Sequence, residues 1–212
     1  MTNVILTNDF VTDKKIKEMS SKTFSVLTYL WLMEKRNTCT TTIRTIKEFF
    51  KIEKDTIVFH LDKLEKLNYI TIDVDINNCF INKVINITIK DIEANKGYDI
   101  IPGDIFFDYY NIISHHGWSL LCVLVLLYNK NYGYAFPSRD QLCDILGISP
   151  STISKVTEIL VKNELIKIKN KGSNIVVYNN KIYSKNYQYL INNKVIDHKK
   201  NKINNKVNNK EN

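Results

Sequence analysis

Glycine and proline are scarce, six and three among 212 residues. That excludes collagen-like and linker-dominated chains, so each glycine that does occur marks a specific place. Cysteine is scarce as well. Cys39, Cys79, Cys122 and Cys143 stand far apart, with no pair at zinc-ligand spacing. Reduced thiols in a cytoplasmic protein are therefore expected. No basic stretch followed by an apolar run opens the chain, so no export signal is expected. The longest apolar run, Leu120–Tyr128, is too short to cross a bilayer. No glycine-rich phosphate loop occurs, which leaves ATP use without support. His115-His116 have no cysteine or carboxylate at ligand spacing, so neither a metal nor another cofactor is expected. Tyr109-Tyr110 lack the histidine cluster of a nicking tyrosine and read as helical packing. Cys122 and Cys143 read as small inward residues. No paired acid and base stand out, and no enzymatic activity is expected.

What is present is hydrophobe and base. Hydrophobic residues make up 44% of the chain, enough for real cores. The net charge of +8 favours a polyanionic partner, nucleic acid first. The charge is uneven. Residues 180–212 carry eight lysines against Asp197 and Glu211, a net +6, which leaves +2 for residues 1–179. Binding by the folded part must therefore use local patches.

The most informative stretch is Gly133–Lys171. Ser138 caps a helix, and Gln141 three residues on completes a capping box. Leu142, Ile145 and Leu146 share one face of that helix. Gly147 ends it. Ser149 caps the next helix, with Pro150 at its first position. Ile153, Val156, Ile159 and Leu160 point inward, leaving Ser151, Thr152, Ser154, Lys155, Thr157 and Lys162 mostly outward. Two short helices about a glycine turn form a helix-turn-helix. Leu165–Lys169 alternates apolar and basic residues, 171–174 is a turn, and Ile175–Tyr178 is a return strand, which makes a wing.

The chain repeats itself. At an offset of 96, Ile46, Phe49, Phe50, Leu64 and Ile70 meet Leu142, Ile145, Leu146, Leu160 and Ile166. Upstream the offset is 94, where Phe24-Ser25-Val26-Leu27 meets Trp118-Ser119-Leu120-Leu121. The first copy has a strand at Val4–Leu6 and helices at Lys14–Ser20 and Lys22–Glu34. Its helix-turn-helix is Thr40–Phe50 and Lys54–Leu67, and its wing is Tyr69–Asp75 and Phe80–Lys90. In the second copy Ile105–Ile113 is a helix, and Trp118–Asn129 is a helix apolar almost all round. The expected fold is mainly α with small β-hairpin wings, an α+β chain of two winged domains in tandem. The boundaries are 1–93 for the first domain, 94–103 for a linker and 104–183 for the second domain. Residues 184–212 are a basic Asn/Lys-rich tail, opening with a short helix of Tyr187, Leu190, Ile191 and Val195.

Ile101-Pro102-Gly103-Asp104-Ile105, the Trp118 helix, Phe136-Pro137-Ser138 through Leu142, and Gly147-Ile148-Ser149 with Thr152-Ile153 resemble a known family. Both copies look like the winged helix-turn-helix domain of plasmid and phage replication initiators and replisome organisers. The resemblance covers most of 101–170 and, more loosely, 3–70. It implies tandem winged domains that bind repeated origin sites.

The major groove accepts a helix whose exposed face reads base edges. The candidates in the second copy are Arg139, Ser149, Ser151, Thr152, Ser154, Lys155 and Thr157, with Lys167, Lys169 and Lys171 at the wing. In the first copy they are Thr42, Arg44, Lys54, Thr56, His60 and Lys63. That copy departs from the pattern. Lys51 stands where Gly147 does, and Asp55, Asp62, Asp73 and Asp75 would lie near phosphates. The alternative for it is an architectural or dimerising domain. The expected partner is double-stranded DNA, with a second copy of the chain and replication proteins as further candidates, and no membrane. Replication initiation, transcriptional repression for a mobile element and a subunit role in a segregation complex stay open as biological roles.

Overall fold

The computed structural model describes residues 3–90, 97–169, 176–178, 181–183 and 187–196. The first copy opens with β1 (Asn3–Thr7), α1 (Asp9–Thr12), α2 (Lys15–Met19) and α3 (Ser21–Met33). It continues with β2 (Thr38–Thr42), α4 (Ile43–Phe50), α5 (Lys54–Lys66), β3 (Ile70–Ile72), one turn of 3-10 helix (Ile76–Asn78) and β4 (Val84–Ile89). The second copy holds β5 (Tyr98–Pro102), α6 (Gly103–Leu126), α7 (Arg139–Leu146) and α8 (Pro150–Lys162). It ends with β6 (Ile166–Lys169), β7 (Val176–Tyr178), β8 (Lys181–Tyr183) and β9 (Gln188–Ile191). The chain is thus an α+β protein with small antiparallel sheets.

The central helices explain the architecture. Residues 21–32 of α3 are buried except Lys22, and 117–125 of α6 are buried throughout. A helix apolar on every side needs neighbours on every side. The two central helices therefore pack on each other, and one hydrophobic core runs through both copies. Trp118 is fully buried, and its Nε1 donates to Thr28 Oγ1 at 3.1 Å across the seam. Its ring meets Phe106 at 4.9 Å, and Phe106 stacks on Phe49 at 5.7 Å. Phe49 in turn stacks on Tyr110 at 5.8 Å, so Tyr110 is a packing residue.

The repeat extends to backbone strain. Ser20 and Ser114, 94 apart, have φ of 77° and 62° and each precedes a central helix. Ser114 breaks α6 into the two expected pieces, and His115-His116 start the second. Lys51 and Gly147, 96 apart, have φ of 52° and 67°. Asn68 and Glu164, also 96 apart, have φ of 65° and 56°. Side chains rarely adopt positive φ, so three matched pairs mark one architecture used twice.

Several expectations need correction. Residues 98–102 of the expected linker are a strand, β5, antiparallel to β1. Val4 lies opposite Ile101 and both are fully buried, so core packing drives that pairing. Residues 94–96 lie outside the described residues. The expected helix through Tyr187, Leu190 and Ile191 is the strand β9. Tyr189 and Ile191 alternate inward, and a period of two wins because β6 needs a partner. β9 pairs with β6 on one side, and Tyr189 exchanges both backbone hydrogen bonds with Ala135 on the other. This copies the first domain, where β4 lies between β2 and β3. β7 is thus not the return strand for β6; it pairs with β8. In the first copy, residues 40–42 of the expected helix belong to the strand β2, because Thr42 is the cap of α4. Helix α1 was not expected.

Candidate nucleic-acid interface

Capping builds the helix-turn-helix of the second copy. Ser138 Oγ accepts from the Gln141 N–H at 3.0 Å, which fixes the start of α7. Gly147 turns the chain at φ 67°, and its N–H bonds the Cys143 carbonyl at 2.8 Å. Ser149 Oγ then accepts from the Thr152 N–H at 3.2 Å and starts α8. The same hydroxyl lies 2.9 Å from Ser151 Oγ and 2.9 Å from Thr152 Oγ1. Three hydroxyls therefore crowd the end of α8 where backbone N–H groups are free and the helix dipole is positive. Lys155 is exposed one turn further on. Arg139, also exposed, occupies the first turn of α7, where a cation opposes the dipole and gains from an anion. Lys167 and Lys169 are exposed on β6 beside the buried Ile166.

Three candidates are placed differently. Thr157 is 7% exposed, because it continues the inward stripe of Ile153, Val156 and Leu160. Among the described residues its Oγ1 has no hydrogen-bond partner. Ser154 is half-buried and donates back to the Pro150 carbonyl at 3.1 Å. Lys171 lies outside the described residues. The second-copy candidates brought together are thus Ser149, Ser151, Thr152 and Lys155 at α8, flanked by Arg139 and the β6 lysines. Asp140 of α7, Glu158 of α8 and Glu164 before β6 are exposed as well.

The first copy has the same frame with different chemistry. Thr42 Oγ1 accepts from the Thr45 N–H at 3.1 Å, and Arg44 is exposed. Lys54, Thr56 and Lys63 are half-buried on α5. His60 is 5% exposed and cannot reach a duplex, because it belongs to the inward stripe of Ile57, Leu61 and Leu64. Its Nδ1 lies 2.9 Å from Thr23 Oγ1. Burial pushes its pKa down to about 4, and nearby Lys22, Lys63 and His115 add to the effect. Burial likewise holds His115 at about 4, helped by His116 and Lys22. Among the described residues no three metal-ligating side chains converge.

At the wing, Asp73 accepts from Asn86 N–H at 3.0 Å and Asn86 Nδ2 at 2.8 Å. Asp75 accepts from Asn78 Nδ2 at 2.6 Å and Asn77 N–H at 3.1 Å. These bonds hold both carboxyls below their ordinary range, so both are anionic near neutral pH. Phe59 on α5 is 58% exposed, and Phe80 beside the 3-10 turn is 82% exposed.

One contact was not visible in the sequence. Lys14 and Lys17, around α2, hold Asp144 of α7 at 2.7 and 3.3 Å. Nothing local signals it, since the partners lie more than a hundred residues apart.

With this geometry in hand, comparison with known proteins is specific for fold. A family profile described as a helix-turn-helix domain matches residues 119–166, from the second half of α6 into β6. No curated protein matches the sequence. Among solved structures, the chain is similar to a Pi initiator protein in complex with iteron DNA. The two are 11% identical with a TM-score of 0.52, over 90% of this chain and 98% of that one. The likeness at that identity is one of fold. The chain carries a helix-turn-helix domain in a fold like that of a replication initiator. No helix among the described residues is long and apolar enough to cross a membrane.

Proposed function

We propose that this chain binds double-stranded DNA with sequence preference and acts in replication initiation, or its control, on a plasmid or phage. It acts by binding rather than by catalysis, in the cytoplasm. The observation that carries the reading is the exposed start of α8. Ser149, Ser151 and the half-buried Thr152 gather their hydroxyls there at the positive end of the helix, with Lys155 one turn along. Hydroxyls reach bases or phosphates without bulk, and a lysine reaches guanine acceptors or a phosphate. Lys167 and Lys169 on β6 extend the basic strip toward the adjacent backbone. The initiator-like fold supports replication as the setting, since the initiator that shares it is bound to iteron DNA.

The test is selection of bound fragments from random-sequence duplexes by the purified full chain. Recovered motifs that cluster as direct repeats beside the gene, and confer replication on DNA lacking an origin, support the reading. A lone palindrome over a promoter moves the role to transcriptional repression. No enrichment of any motif removes sequence-preferring binding.

A further inference from the structure

The second helix-turn-helix does not stand alone: part of the first copy lies against its turn. Lys14 Nζ is 2.7 Å from Asp144 Oδ2, and Lys17 Nζ is 3.3 Å from Asp144 Oδ1. The Lys17 stem also crosses Gly147, where an added Cβ would come within 2.9 Å of Lys17 Cγ. Gly147 is two residues before Ser149, the cap of α8. Both ammonium groups therefore stand at the last turn of α7, and the Lys17 stem lies over the turn that leads into the helix proposed to enter the groove. The helix-turn-helix docks with its first helix across the phosphate backbone and the start of its second at the bases.

We propose that Lys14 and Lys17 are phosphate-binding residues of the DNA interface, and that Asp144 occupies their anion position until DNA arrives. The inference rests on the duplex-binding reading above. One carboxylate, each oxygen taken by a different lysine, imitates two oxygens of a phosphate. All three side chains are about half exposed, at 49%, 48% and 52%. Exposed ion pairs of that kind contribute little to stability, so exchanging the carboxylate for a phosphate is inexpensive. Two lysines on one acid also leave a net positive charge facing solvent. The pair further explains why α2 belongs to the interface although it lies in the other copy. The shared core holds α2 against α7, so its lysines need no ordering when DNA binds.

The test measures binding of the full chain to a fluorescein-labelled duplex of arbitrary sequence by anisotropy over a salt series. Each phosphate contact contributes roughly 0.9 to the slope of log affinity against log salt. Lys14→Ala with Lys17→Ala is expected to make that slope shallower by roughly 0.9, since the two lysines share one phosphate. Asp144→Asn is expected to tighten binding, because it removes the competing anion and keeps both lysines. A pair that only braces α2 gives the opposite result for Asp144→Asn, since the brace is lost and binding weakens. That weakening, or an unchanged slope in the lysine variant, overturns the inference while leaving wild-type binding intact. A wild-type chain that ignores duplex at low salt removes the duplex-binding reading itself, and the inference with it. Thermal melts identify any variant that fails to fold, and Lys14→Gln with Lys17→Gln then replaces the alanine pair.

Discussion

On α8 the exposed positions hold Ser151 and Lys155; 96 residues earlier, α5 holds Asp55 and Phe59, both exposed. The wings differ in the same sense. β6 carries Lys167 and Lys169, whereas the strand-to-turn segment of the first wing carries ionised Asp73 and Asp75 and an exposed Phe80. The scaffold beneath is shared to the level of its strained residues, Ser20 with Ser114 and Lys51 with Gly147. Backbone and core thus follow one plan twice, and the contrast in charge and polarity lies on exposed side chains that contribute little to that plan. Exposed side chains change without cost to the fold, so partner choice can diverge where packing cannot. The first copy also packs along the second. Its α3 covers α6, its β1 pairs β5, and α2 braces the turn of the second copy.

The largest expected effect comes from giving one face the chemistry of the other. Ser151→Asp with Lys155→Phe puts the α5 pair on α8. A well-made base contact is worth about 1–3 kcal/mol, so losing two weakens specific duplex binding by roughly 2–6 kcal/mol. Asp55→Ser with Phe59→Lys leaves specific binding within about 1 kcal/mol, because the first copy still presents Asp73 and Asp75. Electrophoretic titration on a selected duplex measures both. If the α5 variant alone loses binding, the roles assigned to the copies are reversed.

A second contrast lies inside. His60 of α5 matches Val156 of α8, and both are buried. Unfolded His60 takes up a proton near its ordinary 6.5, whereas in the fold it does so only at about 4. Its neutral form therefore favours the fold fully above about pH 6.5, and that contribution is lost as pH falls toward 4. The size is about 3 kcal/mol over the whole window. Lys22, Lys63 and His115 face it and add to the cost of protonation. His60→Val, copying the second copy, is expected to flatten the loss of urea stability between about pH 7 and pH 4.5 by about 2–3 kcal/mol. An unchanged pH profile would mean that His60 does not govern the acid response.

What could be read from the sequence follows from how local each signal is. The Ser138 cap, the glycine stop at 147 and the inward Ile153, Val156 and Leu160 of α8 are contained within one or two turns, and each formed as read. The repeat was legible because both copies bury the same positions. β9 was not legible: Tyr187, Leu190 and Ile191 fit a helical spacing, and only the distant partners Ile166 and Ala135 select the strand. β5 was hidden because Gly97, Pro102 and Gly103 look like a linker until β1 is laid beside them. At the candidate interface, the placements of Thr157 and His60 follow from their stripes, which the outward reading overlooked. The lysines on Asp144 required three-dimensional contact to find.

The smallest expected effect separates the copies by sign rather than size. Lys51 and Gly147 hold the same left-handed turn, at φ 52° and 67°. A non-glycine residue there costs about 1–2 kcal/mol, so Lys51 stores strain that Gly147 avoids. Lys51→Gly relieves it, offset by the extra freedom glycine has in the unfolded chain, about 0.5–1 kcal/mol. The net expectation is a gain of a few tenths to about 1 kcal/mol. Gly147→Ala introduces the strain and also drives a methyl to within 2.9 Å of the Lys17 stem, so it costs at least about 1–2 kcal/mol. Urea denaturation of the two variants gives opposite shifts of midpoint if the turns are equivalent. A loss in both would show that Lys51 makes a contact worth more than its strain. The repeat would then be conformational at that turn but not energetic.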